Sequence, residues 1–300
     1  GTLAVGATAY NELVTYKGGA VTGNFTGDLL VSGTSVSITN ANLPSGTVVV
    51  DDNNSVALGA GYSGNLKLTG GTIASGFSGY SGEVTLVGGE LNLTSTGSSA
   101  NAKVRIDVGG TLSGIGSVGD TTVLAGGILA PGNSPGTLTL ANATLNGGGH
   151  LTMQVQNTYL GLTEMAAGTD YDTVVVDGVL DLQNLSSSSR FIIDLVSLLD
   201  ANTEGDILDF DPSKSLTFDL FSFGLIQGAS EPIENLFQVN STNFTFGGLS
   251  IDASHFQVLD NGSGKLQLTY SPVPEPSTYG LALGALALAV AAVRRKRGKR

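Results

Sequence analysis

The sequence predicts an all-β protein: a parallel β-helix closed by a capping β region, followed by one C-terminal transmembrane helix. Three observations carry that prediction. A glycine doublet returns at near-constant spacing, short segments around it alternate apolar and small polar residues, and an uncharged apolar run separates an acidic body from a basic tail. The composition agrees, with 44 Gly, no Cys, no Trp and only 2 His in 300 residues. Lacking Cys, the chain excludes disulfide scaffolds, thiolate metal sites and cysteine nucleophiles. A formal charge of −12 lacks the basic footprint of a nucleic-acid binder.

Residues 1–9 contain Leu3 to Ala9, reading L-A-V-G-A-T-A. Ala7-Thr8-Ala9 fits the small-x-small pattern of a signal-peptidase site, so the segment reads as a signal-peptide remnant with maturation at Tyr10. The alternative is a first β-strand. Residues 10–185 form the repeat region. The pattern x-Gly-Gly-x-apolar recurs at Gly70-Gly71, Gly88-Gly89, Gly109-Gly110 and Gly126-Gly127, with a looser copy at Gly147-Gly148-Gly149; the first glycines are 18, 21, 17 and 21 residues apart. A period near 20 is a solenoid signature. Glycine supplies the positive φ of a tight corner. Val84-Thr85-Leu86, Leu91-Asn92-Leu93 and Leu138-Thr139-Leu140 alternate as half-buried strands do. Such strands bury their apolar faces only when stacked, at ~4.8 Å per lap. About twelve laps are expected.

Residues 186–271 read as final laps and a cap. Phe191-Ile192-Ile193, Leu216-Thr217-Phe218, Phe244-Thr245-Phe246 and Leu266 to Tyr270 are strand-like; glycine thins from 31 in the first 150 residues to 13 in the rest, while Phe rises from 2 to 9. Bulky side chains suit a solenoid end, where an open edge must be covered. Residues 272–300 break the pattern. Tyr279 to Val293 is apolar all round; at 1.5 Å per residue it covers roughly 22 Å, and flanking Ser277, Thr278 and snorkelling Arg and Lys stems extend it toward the ~30 Å hydrocarbon core. Arg294, Arg295, Lys296, Arg297, Lys299 and Arg300 follow, whereas residues 1–271 hold 24 acids and 7 bases, a net of −17. The positive-inside rule puts the tail in the cytoplasm and the body outside. Pro274-Glu275-Pro276, just before the span, is an extended handle without helix hydrogen bonds.

The triad, short span and basic tail in this order resemble the PEP-CTERM sorting signal of exported bacterial proteins. That resemblance implies a membrane-embedded exosortase that recognises Pro274, Glu275 and Pro276 and removes the span and tail, with the inner membrane holding the chain beforehand. A second resemblance rests on Ala130-Pro131-Gly132-Asn133-Ser134-Pro135-Gly136-Thr137-Leu138-Thr139 and on Asp172-Thr173-Val174-Val175-Val176-Asp177-Gly178-Val179-Leu180. Both are similar to autotransporter passenger-associated repeats, which implies a right-handed parallel β-helix on a Gram-negative surface. Residues 186–271 are too short and acidic to be the translocator barrel of that family.

Candidate chemistry is sparse. Asp206, Asp209 and Asp211 with Asp219, or Asp170, Asp172 and Asp177, offer oxygen ligands for Ca2+, the one cofactor these residue types suggest. Asp in Gly/Asn-rich loops is more often a turn former or a solvated charge. His150 sits by a glycine corner and His255 near Phe256, neither beside a Ser–Asp pairing. Asn92-Leu93-Thr94, Asn243-Phe244-Thr245 and Ser186 to Ser189 are glycosylation acceptors by pattern or plain polar strand faces. The expected function is therefore non-enzymatic: an exported structural or adhesive protein of a cell surface or biofilm matrix, in contact with extracellular polysaccharide. The competing expectation is a β-helical lyase or hydrolase acting on exopolysaccharide.

Overall fold

A computed structural model describes residues 2–5, 14–16, 19–23, 28–31, 36–38, 46–51, 54–59, 62–132, 134–158 and 165–272. The described residues are mostly β-strand, consistent with an all-β body, and successive strands largely alternate between sheets. One long sheet takes Val14–Tyr16, Leu29–Val31, Thr47–Asp51, Asn65–Thr69, Glu83–Leu86, Lys103–Ile106, Ser117–Val123, Thr137–Asn146, Thr173–Asn184 and Leu216–Gln227, each parallel to the last. The strands between them form two shorter sheets, parallel except for the two-residue strand Thr203–Glu204, which pairs antiparallel with Phe191–Asp200. The first runs from Thr2–Val5, paired with Gly19–Gly23, to Thr72–Ser75; the second runs from Glu90–Asn92 to Phe237–Asn243. Among the described residues the long sheet thus has ten parallel strands, where about twelve laps were expected.

The alternating pattern explains the stacking. Leu66 and Leu68, Val84 and Leu86, and Val104 and Ile106 are buried and aligned strand upon strand, while Lys67, Thr85 and Arg105 between them point outward. Leu91, Leu112, Leu129, Leu151 and Ile193 make the matching buried stack on the second short sheet. Each such side chain contributes about 1.5–3 kcal/mol of burial.

The glycine doublets all lie at one corner, between a long-sheet strand and the next short-sheet strand, and their two members are required for different reasons. Gly88, Gly109 and Gly126 turn the chain at φ of 71°, 72° and 75°. A side chain on Gly110 would meet Leu86 O of the previous lap at 2.4 Å, and one on Gly127 would meet Ile106 O at 2.5 Å. Backbone rungs tie the corners together: Gly109 N–H donates to Gly126 O (2.8 Å), Gly126 N–H to Gly148 O (2.6 Å), and Thr111 N–H to Gly89 O (2.9 Å).

Beyond residue 150 the laps lengthen. The partners Leu66, Val84, Val104, Thr121 and Ala143 are 18, 20, 17 and 22 residues apart, but the next two intervals, to Leu180 and Ile226, are 37 and 46. After Leu216–Gln227 the direction reverses. Lys265–Tyr270 pairs antiparallel with it, and Phe256–Asp260 pairs antiparallel with Lys265–Tyr270. Phe210 packs edge-on against Phe244, Phe246 and Tyr270 with centroids 5.7, 5.7 and 5.1 Å away, which accounts for the phenylalanine enrichment of this end.

Candidate functional site

The folded body ends where the sorting segment begins. Tyr270 is 2% exposed, its hydroxyl donates to Pro212 O (3.0 Å), and its ring packs on Phe210 and Phe256. Ser271 N–H donates to His255 O (2.9 Å). Pro274, Glu275 and Pro276, the span from Tyr279 to Val293, and Arg294, Arg295, Lys296 and Arg297 lie outside the described residues. Among the described residues, no helix is long and apolar enough to cross a membrane.

The acids singled out from sequence do not converge. Asp206 accepts from Gly248 N–H (2.6 Å), Asp209 from the Thr158 N–H (3.0 Å) and hydroxyl, and Asp211 from the Ser213 N–H (2.9 Å) and hydroxyl (2.6 Å). The two Ser213 bonds hold the Asp211 carboxyl below the ordinary range. Asp219 accepts from Lys265 Nζ (2.6 Å) and Gln267 (2.7 Å) on the terminal strand. No three His, Cys, Asp or Glu side chains among the described residues are grouped to hold a metal ion. Each carboxylate is committed to a separate contact: Asp206 and Asp209 tie their segment to Gly248 and Thr158, Asp211 closes its own turn, and Asp219 holds the terminal strand.

Asp170 and Asp172 correct the expectation of solvated turn residues, since they are 4% and 2% exposed. Asp172 Oδ1 accepts from Gly136 N–H (2.7 Å), at the end of the proline turn, and Oδ2 accepts from Gln154 N–H (2.8 Å) on the neighbouring sheet. Burial pushes its carboxyl up to about 8, against the pull of those two donors. Asp170 accepts from Asn157 (2.9 Å) and from Ala166 N–H (2.7 Å), bracing the first enlarged lap. Asn92 is spent on a cap, accepting from Thr94 N–H (3.0 Å).

A pairing that the sequence did not disclose is His150 Nδ1 with Asp194 Oδ2, 2.7 Å apart. The second oxygen of Asp194 accepts from Asn240 (2.7 Å). These residues line a cleft of about 410 Å³ with Gln238, Thr242 and Asp252. A second cleft, of about 360 Å³ on the long sheet, is lined by Asp120, Thr122, Asn142, Thr144, Asp181 and Gln227, among others. Neither contains Arg, Tyr or Phe. Parallel register lines up Lys67, Thr85, Arg105, Thr122, Thr144, Asp181 and Gln227, one per strand, along the outside of the long sheet.

The comparisons with known proteins bear on the C-terminus. The PEP-CTERM protein-sorting motif matches residues 272–297. No curated protein matches the chain. The chain carries the signal of an exported protein that an exosortase, itself a membrane protein, sorts and processes, and the signal implies C-terminal membrane anchoring before processing.

Proposed function

We propose that this exported protein is a non-enzymatic structural or adhesive element of a bacterial cell surface or biofilm matrix. Its body is a right-handed parallel β-helix resembling autotransporter passenger repeats, with residues 10–185 as repeat laps and 186–271 as final laps and cap. Pro274-Glu275-Pro276 is the recognition triad, Tyr279 to Val293 the temporary span, and Arg294–Arg300 the cytoplasmic tail. The observation that supports this reading best is the outer row from Lys67 to Gln227. Seven strands at ~4.8 Å each give a polar strip about 29 Å long, rich in Thr and with charges of both signs set apart. That is a surface for repeated weak hydrogen bonds to a polymer, and it holds no dense acid pair beside a cation. Co-sedimentation of the purified body with exopolysaccharide from its own host tests the proposal: retention without release of sugar is expected, and passage of all protein in the supernatant would refute the adhesive role.

One observation favours a second reading. His150 and Asp194, hydrogen-bonded in a cleft that also holds Asp252, supply an acid–base pair of the kind a polysaccharide-cleaving enzyme needs. Reducing or unsaturated sugar released by the wild type and lost in His150→Ala and Asp194→Asn would establish that reading instead.

A further inference from the structure

The cleft on the outside of the long sheet is built around one irregularity. Thr173–Asn184 carries one residue more than either neighbour: Val176 and Leu180 stand four positions apart, whereas their partners Leu140 and Ala143, and Phe223 and Ile226, stand three apart. A bulge of this kind bends its strand and re-aims the side chains beside it. Here it falls at Asp177-Gly178-Val179. A side chain on Gly178 would collide with Asn142 Oδ1 and Ala141 O, so glycine is what lets Asn142 lie across the bulge. Val179 N–H donates to Asn142 Oδ1 (2.8 Å), and Asn142 Nδ2 donates to Asp120 Oδ1 (2.7 Å). Asp181 Oδ2 accepts from Gln227 Nε2 (3.1 Å), and Oδ1 accepts from Gln183 N–H (3.0 Å). Thr122 and Thr144 stand beside both carboxylate–amide pairs. They lie two residues along the strand from Asp120 and Asn142, and in one row with Asp181 and Gln227 across four strands, about 14 Å long.

We infer that this cleft is a subsite for an uncharged polysaccharide, whose hydroxyls are held by the two carboxylate–amide pairs. The inference rests on the adhesive role proposed above and adds to it a location and a ligand class. Each pair sets a carboxylate acceptor beside an amide, and a sugar hydroxyl, donor and acceptor at once, satisfies both. Internal bonds already fix the pairs, so binding costs little side-chain freedom. Those bonds also leave groups for a ligand: among the described residues, Asp120 Oδ2, Gln227 Oε1 and the Thr122 and Thr144 hydroxyls have no protein partner. Charge selects the class. The charged residues lining the cleft are Asp120 and Asp181, so an acidic sugar meets like charge there. Arg105, next in the row before Thr122, lies outside the lining and 3.8 Å from Asp107. The apolar lining is Ala143 and Val179, too little to hold a ligand by its apolar surface.

The test uses the full-length chain in mild detergent and exopolysaccharide of the native host, separated by anion exchange into uncharged and acidic fractions and immobilised. The wild-type chain should be retained on the uncharged fraction about tenfold better than on the acidic one. Asp181→Ala should lower retention on the uncharged fraction roughly tenfold, as loss of a hydrogen bond to a charged group does, and Thr144→Val about threefold. Thr144→Val preserves shape on an outward strand position, so it reads the cleft even where Asp181→Ala disturbs the bulge. Thr85→Val, in the same outward row but two strands before Thr122, should change nothing. Preference for the acidic fraction, retention that either folded variant leaves unchanged, or an equal loss in Thr85→Val would overturn the inference and leave adhesion standing. Passage of the wild-type chain through both fractions would instead refute the adhesive role itself.

Discussion

Replacing Gly110 with alanine should damage the body far more than replacing Gly88, although both are corner glycines. Gly88 has φ of +71° and open space around an added Cβ, so Gly88→Ala meets only the left-handed backbone cost of roughly 1–2 kcal/mol. Gly110 has no such φ, but its Cβ would lie 2.4 Å from Leu86 O and 2.7 Å from Leu86 C. Restoring a contact of about 3.5 Å requires the corner to move by roughly 1 Å. That movement strains the rungs Asp107 N–H to Leu86 O (2.8 Å) and Thr111 N–H to Gly89 O (2.9 Å), between laps that already pack against neighbours. With overpacking at about 1–3 kcal/mol and two weakened buried hydrogen bonds at about 1 kcal/mol each, Gly110→Ala should cost at least ~3 kcal/mol. Asparagine separates the causes. It tolerates the left-handed region, so Gly88→Asn should recover most of the Gly88→Ala loss, whereas Gly110→Asn should be as damaging as Gly110→Ala. Urea titration of residues 1–271, followed by circular dichroism, reads all four. Equal costs at the two positions, or a tolerated Gly110→Ala, would refute the stacked-corner argument.

Asp172 gives a pH signature. Its carboxyl rises from 3.8 to about 8 in the folded chain, so its stabilising contribution is full below about 4 and is lost as pH rises toward 8, on the order of 5 kcal/mol if fully expressed. Asp172→Asn should flatten that slope while costing about 1–3 kcal/mol near pH 4, because its NH2 faces the Gly136 or Gln154 N–H; a mutant that keeps the wild-type slope would assign it elsewhere. Millimolar Ca2+ or its removal by chelator should leave the melting temperature unchanged within about 1 °C, since Asp206, Asp209 and Asp211 are committed to three separate contacts; a rise of several degrees would place an ion among them. The circular dichroism spectrum of the body should be β-dominated, and a helical one would contradict the fold.

Much of the architecture was legible because it is periodic. The doublets at Gly70, Gly88, Gly109 and Gly126 mark one corner of successive laps, and alternation around Val84 and Leu91 identifies which side chains point inward. The candidate site was legible only at the C-terminus, where triad, span and tail are contiguous. The rest depends on register across long insertions. His150 and Asp194 meet because strands pair His150 with Ile192, an interval of 42 residues that a 20-residue period does not foretell. Asp172 is likewise a turn residue by composition, and only the return of Thr173–Asn184 alongside Thr137–Asn146 buries it against Gly136. The antiparallel finish at Lys265–Tyr270 has the same alternation as the parallel strands, so the pattern carries no sign of its direction.

The most direct test of the account is the intact mass of the chain recovered from its native host with and without the exosortase. With the enzyme, the surface form should lack the segment from Tyr279 to Arg300 while retaining the body through Ser271; without it, the chain should remain full-length to Arg300 in the inner membrane. A surface form that still carries Arg294–Arg300, or a mass that is the same in both strains, would contradict it.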